Sequence, residues 1–215
     1  IKRKKLNVRK IQRLILDESD EMLSMGFKED LESISKSTSQ QKQILLFSAT
    51  MTPKVNEFVK KYMKNSQAIS VARKNEAAEN VMHVFYMVQA KDRYEVVKRI
   101  ADMNPDIYGI VFCRTRRETK DVAVKLMNDH YNADTIHGDL SQSERDDVMK
   151  RFRNKQLQIL VATDVAARGL DVDNLTHVIN YNLPDDDEIY VHRSGRTGRA
   201  GKKGTSMVII HGREI

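Results

Sequence analysis

Residues 108–137 read YGIVFCRTRRETKDVAVKLMNDHYNADTIH, and the fold class follows from that stretch. Tyr108–Phe112 is an apolar run of strand length, Thr115–Asn128 fits a helix, and Ala133–His137 is again strand-like. Thr115 stands three residues before Glu118, the spacing of a capping box, and Ser141 stands likewise before Glu144. The alternation extends in both directions. Further strands are expected at His83–Val88, Ile159–Ala162, His177–Tyr181 and Ser206–Ile210, with helices at Asp92–Met103, Ser141–Phe152 and Asp187–Val191. Strands alternating with helices imply an α/β fold, a parallel sheet covered by helices on both faces. In such sheets ligands bind beyond the carboxyl ends of the strands.

Upstream lies a smaller block. Leu14–Leu16, Ile44–Phe47 and Ala68–Val71 are strand candidates, with a helix starting near Asp20 and another at Thr52-Pro53. Val55, Phe58, Val59, Tyr62 and Met63 give that second helix one apolar face. The polar run Arg73–Asn80 separates the blocks, so the expected organisation is residues 1–71, a linker at 72–80, and a second domain at 81–215. Three strands cannot close a core of this type, and the first block is expected to be part of a larger domain.

Composition narrows the function classes. The formal charge of +7 resides in residues 1–13, which carry seven basic residues and no acid; the rest of the chain has 30 of each sign. That cluster reads equally as a nucleic-acid contact or as a solvated surface. No window approaches the roughly 18–20 apolar residues of a membrane span. One cysteine, Cys113, makes no internal disulfide, which suits a cytoplasmic setting, and it has no partners for a zinc site.

Four polar motifs follow strand candidates. Leu14-Ile-Leu-Asp17-Glu18 delivers two carboxylates at a strand tip, suited to Mg²⁺ through its waters (Asp17) and to polarising an attacking water (Glu18), or simply to capping the next helix. Phe47-Ser48-Ala49-Thr50 places two hydroxyls after the neighbouring strand, as relay groups or turn formers. Thr163-Asp164-Val-Ala-Ala-Arg168-Gly169-Leu-Asp171 can offer a hydroxyl and N–H groups to phosphate and a carboxylate to a ribose, with Arg168 bracing Asp164. His192-Arg-Ser-Gly-Arg-Thr-Gly-Arg-Ala-Gly201 repeats arginine at 193, 196 and 199 between glycines. Forked guanidinium donors suit phosphate oxygens, and an ordered phosphate-binding loop is expected there. The phosphate-loop spacing Gly-x₄-Gly-Lys-Ser/Thr occurs nowhere in the chain.

In order and spacing the set resembles the DEAD-box ATP-dependent RNA helicases. Asp17-Glu-Ser-Asp20 resembles the motif that names the family, with Ser19 in place of the usual alanine, and Ser48-Ala-Thr50 its coupling motif. Val111-Phe-Cys-Arg-Thr115, Gln142-Ser-Glu-Arg145, Ala162–Asp171 and His192–Arg199 resemble its later motifs. The resemblance implies two RecA-like domains, here one near-complete and preceded by a partial one, with the family's Walker A loop expected before residue 1. It implies ATP and Mg²⁺ as cofactors and RNA as partner, gripped by its backbone with low sequence specificity. Asp17 and Glu18 would be the Mg²⁺ and water-activating carboxylates, and Ser48 and Thr50 the coupling residues. Asp171 would contact the ribose and Arg196 and Arg199 the γ-phosphate, while Arg114, Thr115, Gln142, Arg145, Thr163 and Gly169 would grip RNA. With no Walker A loop, the chain alone is expected to be inactive. A non-catalytic RNA- or partner-binding module is the alternative, and a DNA-directed helicase fits the motifs less well.

Overall fold

The computed structural model describes residues 6–70, 80–167, 170, 172, 174–199, 201–212 and 214. The chain forms two compact units, Ile1–Val71 and Ala72–Ile215.

In the first unit the elements run β1 (Arg13–Leu16), α1 (Ser19–Ser24), α2 (Lys28–Ser37), β2 (Gln43–Leu46) and α3 (Pro53–Tyr62). The two strands pair in parallel from Arg13↔Gln43 to Leu16↔Leu46, so both end at one level. Thr52 caps α3, its side chain accepting from the Val55 N–H at 3.3 Å, and Pro53 fills the first turn. Val55 and Phe58 then pack with Leu16, Leu23 and Leu31 as the core. The strand expected at Ala68–Val71 does not form over 68–70, and Val71 lies outside the described residues. A strand exists only as a ladder; β1 and β2 pair with each other, and Ile69 is left 81% exposed.

The second unit runs β3 (Val81–Met87), α4 (Arg93–Met103), β4 (Gly109–Phe112), α5 (Arg116–Asn128), β5 (Ala133–Ile136), α6 (Gln142–Arg153), β6 (Ile159–Ala162), α7 (Asp164–Ala167), β7 (His177–Asn180), α8 (Asp187–Ser194) and β8 (Gly204–Ile210). A six-stranded sheet, all parallel, has the order β3-β8-β7-β4-β6-β5. Alternate residues of the central strands feed opposite cores. Val111, Val161 and Ile179 pack with Val97, Ile100, Val122 and Leu126 of α4 and α5. Ile110, Phe112, Leu160 and Val178 pack with Val148, Met149 and Phe152 of α6 and with Ala166 and Ala167 of α7. The parallel, doubly covered sheet expected from residues 108–137 is therefore present. Cys113 sits fully buried in the first of these cores.

Three local readings need correction. The capping box of α6 is complete, but that of α5 is half formed. Thr115 accepts from the Glu118 N–H, while the Glu118 carboxylate is drawn instead to the Arg114 N–H and the Asn182 amide. The four-residue α7 was not expected, because DVAA is too short to show a helical period. Last, α8 continues to Ser194, so His192 and Arg193 are helical rather than part of a loop.

Gly204 allows the turn after α8 to lie against β8. A Cβ there would meet the Thr197 Oγ1 at 2.1 Å and the Gly198 backbone nitrogen at 2.6 Å. Neither neighbour can withdraw, since Thr197 is itself bonded to the Leu175 carbonyl and Gly198 is held at φ +69°. Gly204→Ala should therefore destabilise the second unit by about 1–3 kcal/mol, read as a lower urea midpoint.

Candidate functional site

In the first unit β1 ends by placing Asp17 in solvent, and Glu18 then takes a left-handed conformation (φ 50°) that turns the chain into α1. The Glu18 N–H donates to the Asp17 Oδ1 at 3.0 Å, and both carboxylates lie at the open strand end. Ser19 is wholly buried, and its hydroxyl donates to the Leu16 carbonyl at 3.2 Å; an extra hydroxyl at this position is thus satisfied locally. Asp20 is the hub. Its Oδ2 accepts from the Thr50 N–H at 2.8 Å and the Thr50 hydroxyl at 2.9 Å. Ser48 accepts from the Asp20 N–H at 3.2 Å and donates to the Thr50 carbonyl at 2.7 Å. The hydroxyls after β2 are thus bonded to the segment that carries the carboxylates.

In the second unit, Arg114 and Thr115 leave the end of β4 beside the end of β6, where the Cys113 N–H donates to the Ala162 carbonyl. Thr163 follows β6 and its hydroxyl accepts from the Ala166 N–H. From α6, Arg145 donates to the Ala166 carbonyl at 2.6 Å, and Gln142 stands one turn earlier on the same helix. Arg145 and Thr163 therefore meet at α7, with Gln142 one turn along α6, while Arg114 and Thr115 lie at the end of β4 beside Glu118 and Asn182. Asp139, beside them, is held by Arg116 and by Lys120 (3.0 Å), and the Lys120 ammonium in particular keeps its carboxyl below the usual range. Gly169 and Asp171 lie outside the described residues, as does Arg168.

The three arginines of the repeat have different surroundings. Arg193 is buried, and its Nε and Nη2 grip the two carboxylate oxygens of Asp164, each at 2.7 Å. Its Nη1 donates to the Asn180 Oδ1 at 2.9 Å, and its guanidinium lies 5.0 Å from the Phe112 ring centroid. The described partner of Asp164 is therefore Arg193, and the brace expected from Arg168 lies outside the described residues. Arg196 donates to the Leu170 carbonyl at 3.0 Å. Arg199 is exposed and its Nε donates to the Gly195 carbonyl at 2.7 Å.

Comparison with known proteins was consistent with this geometry. The profile of the helicase conserved C-terminal domain matches residues 92–201, and that of the DEAD/DEAH box helicases matches residues 1–58. The chain belongs to the DEAD-box RNA helicase family. It is 43% identical over 214 residues to the DEAD-box ATP-dependent RNA helicase CshA of Bacillus cereus, covering 100% of this chain and 41% of that protein. With CshA of Geobacillus kaustophilus it shares 42% over 215 residues, covering 100% of the chain and 46% of that protein. The chain thus spans less than half the length of these relatives. Among solved structures, a DEAD box protein from Methanococcus jannaschii is similar at a TM-score of 0.61 and 46% identity, with 99% of this chain and 57% of that one covered. Dbp5 of S. cerevisiae, bound to RNA and ADP BeF3, is similar at 0.86 and 28%, covering 98% and 56%.

Within the DEAD-box segment the sequence reading undervalued Asp20, treating it mainly as added acidity, and in the C-terminal helicase segment it missed Asn180 and Asn182. A buried polar residue at a strand end was the available signal for both asparagines, because each needs partners. Arg193 was grouped with the phosphate arginines, although its position on the inward face of α8 commits it to Asp164. Arg193→Gln should destabilise the second unit by about 3–5 kcal/mol, as expected when one partner of a buried pair is removed. Arg193→Lys should recover little, because an ammonium cannot make the parallel two-point contact; thermal unfolding monitored by circular dichroism measures both.

Proposed function

We propose that this chain is the part of an ATP-dependent RNA helicase that carries the water-activating carboxylate, the coupling hydroxyls, the phosphate arginines and one RNA-gripping surface. The observation that carries the reading is the Asp20 hub, which fastens Ser48 and Thr50 to the strand tip bearing Asp17 and Glu18. A shift at the carboxylates is then transmitted to the hydroxyls through three short hydrogen bonds.

In this reading ATP supplies a transferable phosphoryl group, and Mg²⁺ neutralises charge on its oxygens. Asp17 suits the ion: Mg²⁺ keeps several waters and takes only one or two carboxylates alongside phosphates. Glu18, at the same strand end, orients and polarises the attacking water. Arg199, whose Nε donates to the Gly195 carbonyl, offers its terminal nitrogens to the γ-phosphate, with Arg196 and Asp171 serving the phosphate and the ribose. Arg114, Thr115, Gln142, Arg145, Thr163 and Gly169 hold RNA phosphates and riboses. Such contacts carry little base information, and 6% aromatic residues with no tryptophan give little for bases to stack on. The missing Gly-x₄-Gly-Lys-Ser/Thr spacing favours RNA binding without turnover for the 215 residues on their own.

Titrating labelled homopolymers against the chain over a salt series tests the RNA half. Affinity should differ little among bases and fall with salt, at a slope of about −0.7 per phosphate neutralised. Gln142→Ala/Arg145→Ala should weaken all homopolymers alike, and a strong preference for one base would overturn the backbone reading. The ATP half is tested in a longer protein joining these residues to a Walker A loop. There Arg199→Ala should lower RNA-stimulated turnover by roughly 10³–10⁵ with nucleotide-free RNA binding nearly unchanged, and Arg199→Lys should restore little. Unchanged kcat at saturating ATP and RNA would remove Arg199 from the catalytic set.

A further inference from the structure

Beside the β4 end lies a concavity of about 450 Å³ that none of the roles above uses in full. One wall is a face of α5, where Glu118, Val122 and Lys125 recur at helical spacing next to Arg117 and Asp121. Its buried lining comes from Arg93 at the start of α4 and from Tyr181 and Asn182 just after β7. Arg114 and Thr115 stand at its rim, exposed.

Its charge is unusual for a cavity. Four cations, Arg93, Arg114, Arg117 and Lys125, line it with two acids, Arg117 standing 3.9 Å from Asp121 and Arg114 pairing with Asp185 at 3.3 Å outside the lining. One acid, Glu118, already accepts from the Arg114 N–H at 3.2 Å and the Asn182 amide at 3.0 Å, so both its oxygens are engaged. Arg93 is the decisive group. Its side chain is only 9% exposed and its Nη2 donates to Glu214 at 2.5 Å, yet among the described residues its buried Nε has no acceptor. A buried charged donor without an acceptor is costly, and an anion in the concavity that Arg93 lines offsets the charge of its guanidinium. The first N–H groups of the 13-residue α5 open at the same place and add positive potential.

We propose that this concavity binds a phosphate group, with Arg93, Arg117 and Lys125 as its cations and Asp121 as the charge that limits its affinity. Phosphate is favoured over carboxylate ligands because the Arg93 and Arg117 guanidinium groups and the Lys125 ammonium all line the concavity, and three or more acceptor oxygens are needed to use them. The phosphate can come from a nucleic-acid backbone or from a free polyphosphate. The pocket lies within one unit and does not depend on ATP hydrolysis, so it goes beyond the helicase reading.

The test uses the 215-residue chain and inorganic tripolyphosphate, titrated calorimetrically at low salt. Arg117→Ala/Lys125→Ala changes only exposed side chains and should lower tripolyphosphate affinity about tenfold, whereas Asp121→Asn should raise it about threefold, effects of the size expected for exposed charges. Circular dichroism should show both variants folded. A labelled single-stranded oligoribonucleotide distinguishes the sources. Displacement by tripolyphosphate in the wild type but not in the double variant assigns the site to backbone phosphates, and tripolyphosphate binding without displacement assigns it to a free anion. Absence of tripolyphosphate binding, or equal affinity in all three proteins, would overturn the proposal. Loss of the Gln142 and Arg145 effects on RNA would count against the helicase reading alone.

Discussion

The second unit depends on one ion pair more than on any other polar contact. Arg193 and Asp164 meet through two parallel hydrogen bonds under cover of the Phe112 ring, with Asn180 taking a third donor. Those four residues belong to α8, the start of α7, and the ends of β4 and β7. A buried pair of this kind adds little net stability over an apolar replacement, but it permits few alternative arrangements, because each charge is expensive to leave unpaired. It therefore sets where α8 stops and where the turn bearing Arg196 and Arg199 begins. The exposed arginine is positioned by the buried one.

In the first unit neutral donors converge on a buried carboxylate. Asp20 is buried, and backbone and hydroxyl groups from the segment after β2 donate to its Oδ2. Hydrogen bonds to a carboxylate are charge-assisted and stronger than neutral ones. The level ends of the paired strands make this possible, since the parallel register brings residues 17–20 alongside 47–50. A one-residue slip would separate them and turn the apolar side chains to the wrong face.

Much of this was legible in the sequence. Continuous apolar runs such as Ile159–Ala162 marked strands buried on both faces, and Ser141 with Glu144 marked a helix start that the structure reproduces in full. Strand-end placement of the carboxylates and hydroxyls was legible for the same reason, whereas the arginine run lies on and after α8. What escaped was set by tertiary partners. Ala68–Val71 has the composition of a strand but no ladder over its described residues. Thr115 and Glu118 have capping spacing, yet Asn182, distant in sequence, takes the glutamate. The division of labour among Arg193, Arg196 and Arg199 depends on which way each faces, and a regular three-residue repeat conceals that difference.

Cys113 has a consequence of a different kind. It occupies the position between the end of β4 and Arg114, fully buried, and burial pushes its thiol well above its ordinary pKa. A protonated, enclosed sulfur does not react with alkylating or oxidising reagents. Because it is the chain's single cysteine, any labelling of the protein reports an event that opens the sheet at its centre. The rate of thiol modification is thus a built-in clock for sub-global opening of the second unit, against which the effect of any bound ligand on that unit can be timed without adding a probe.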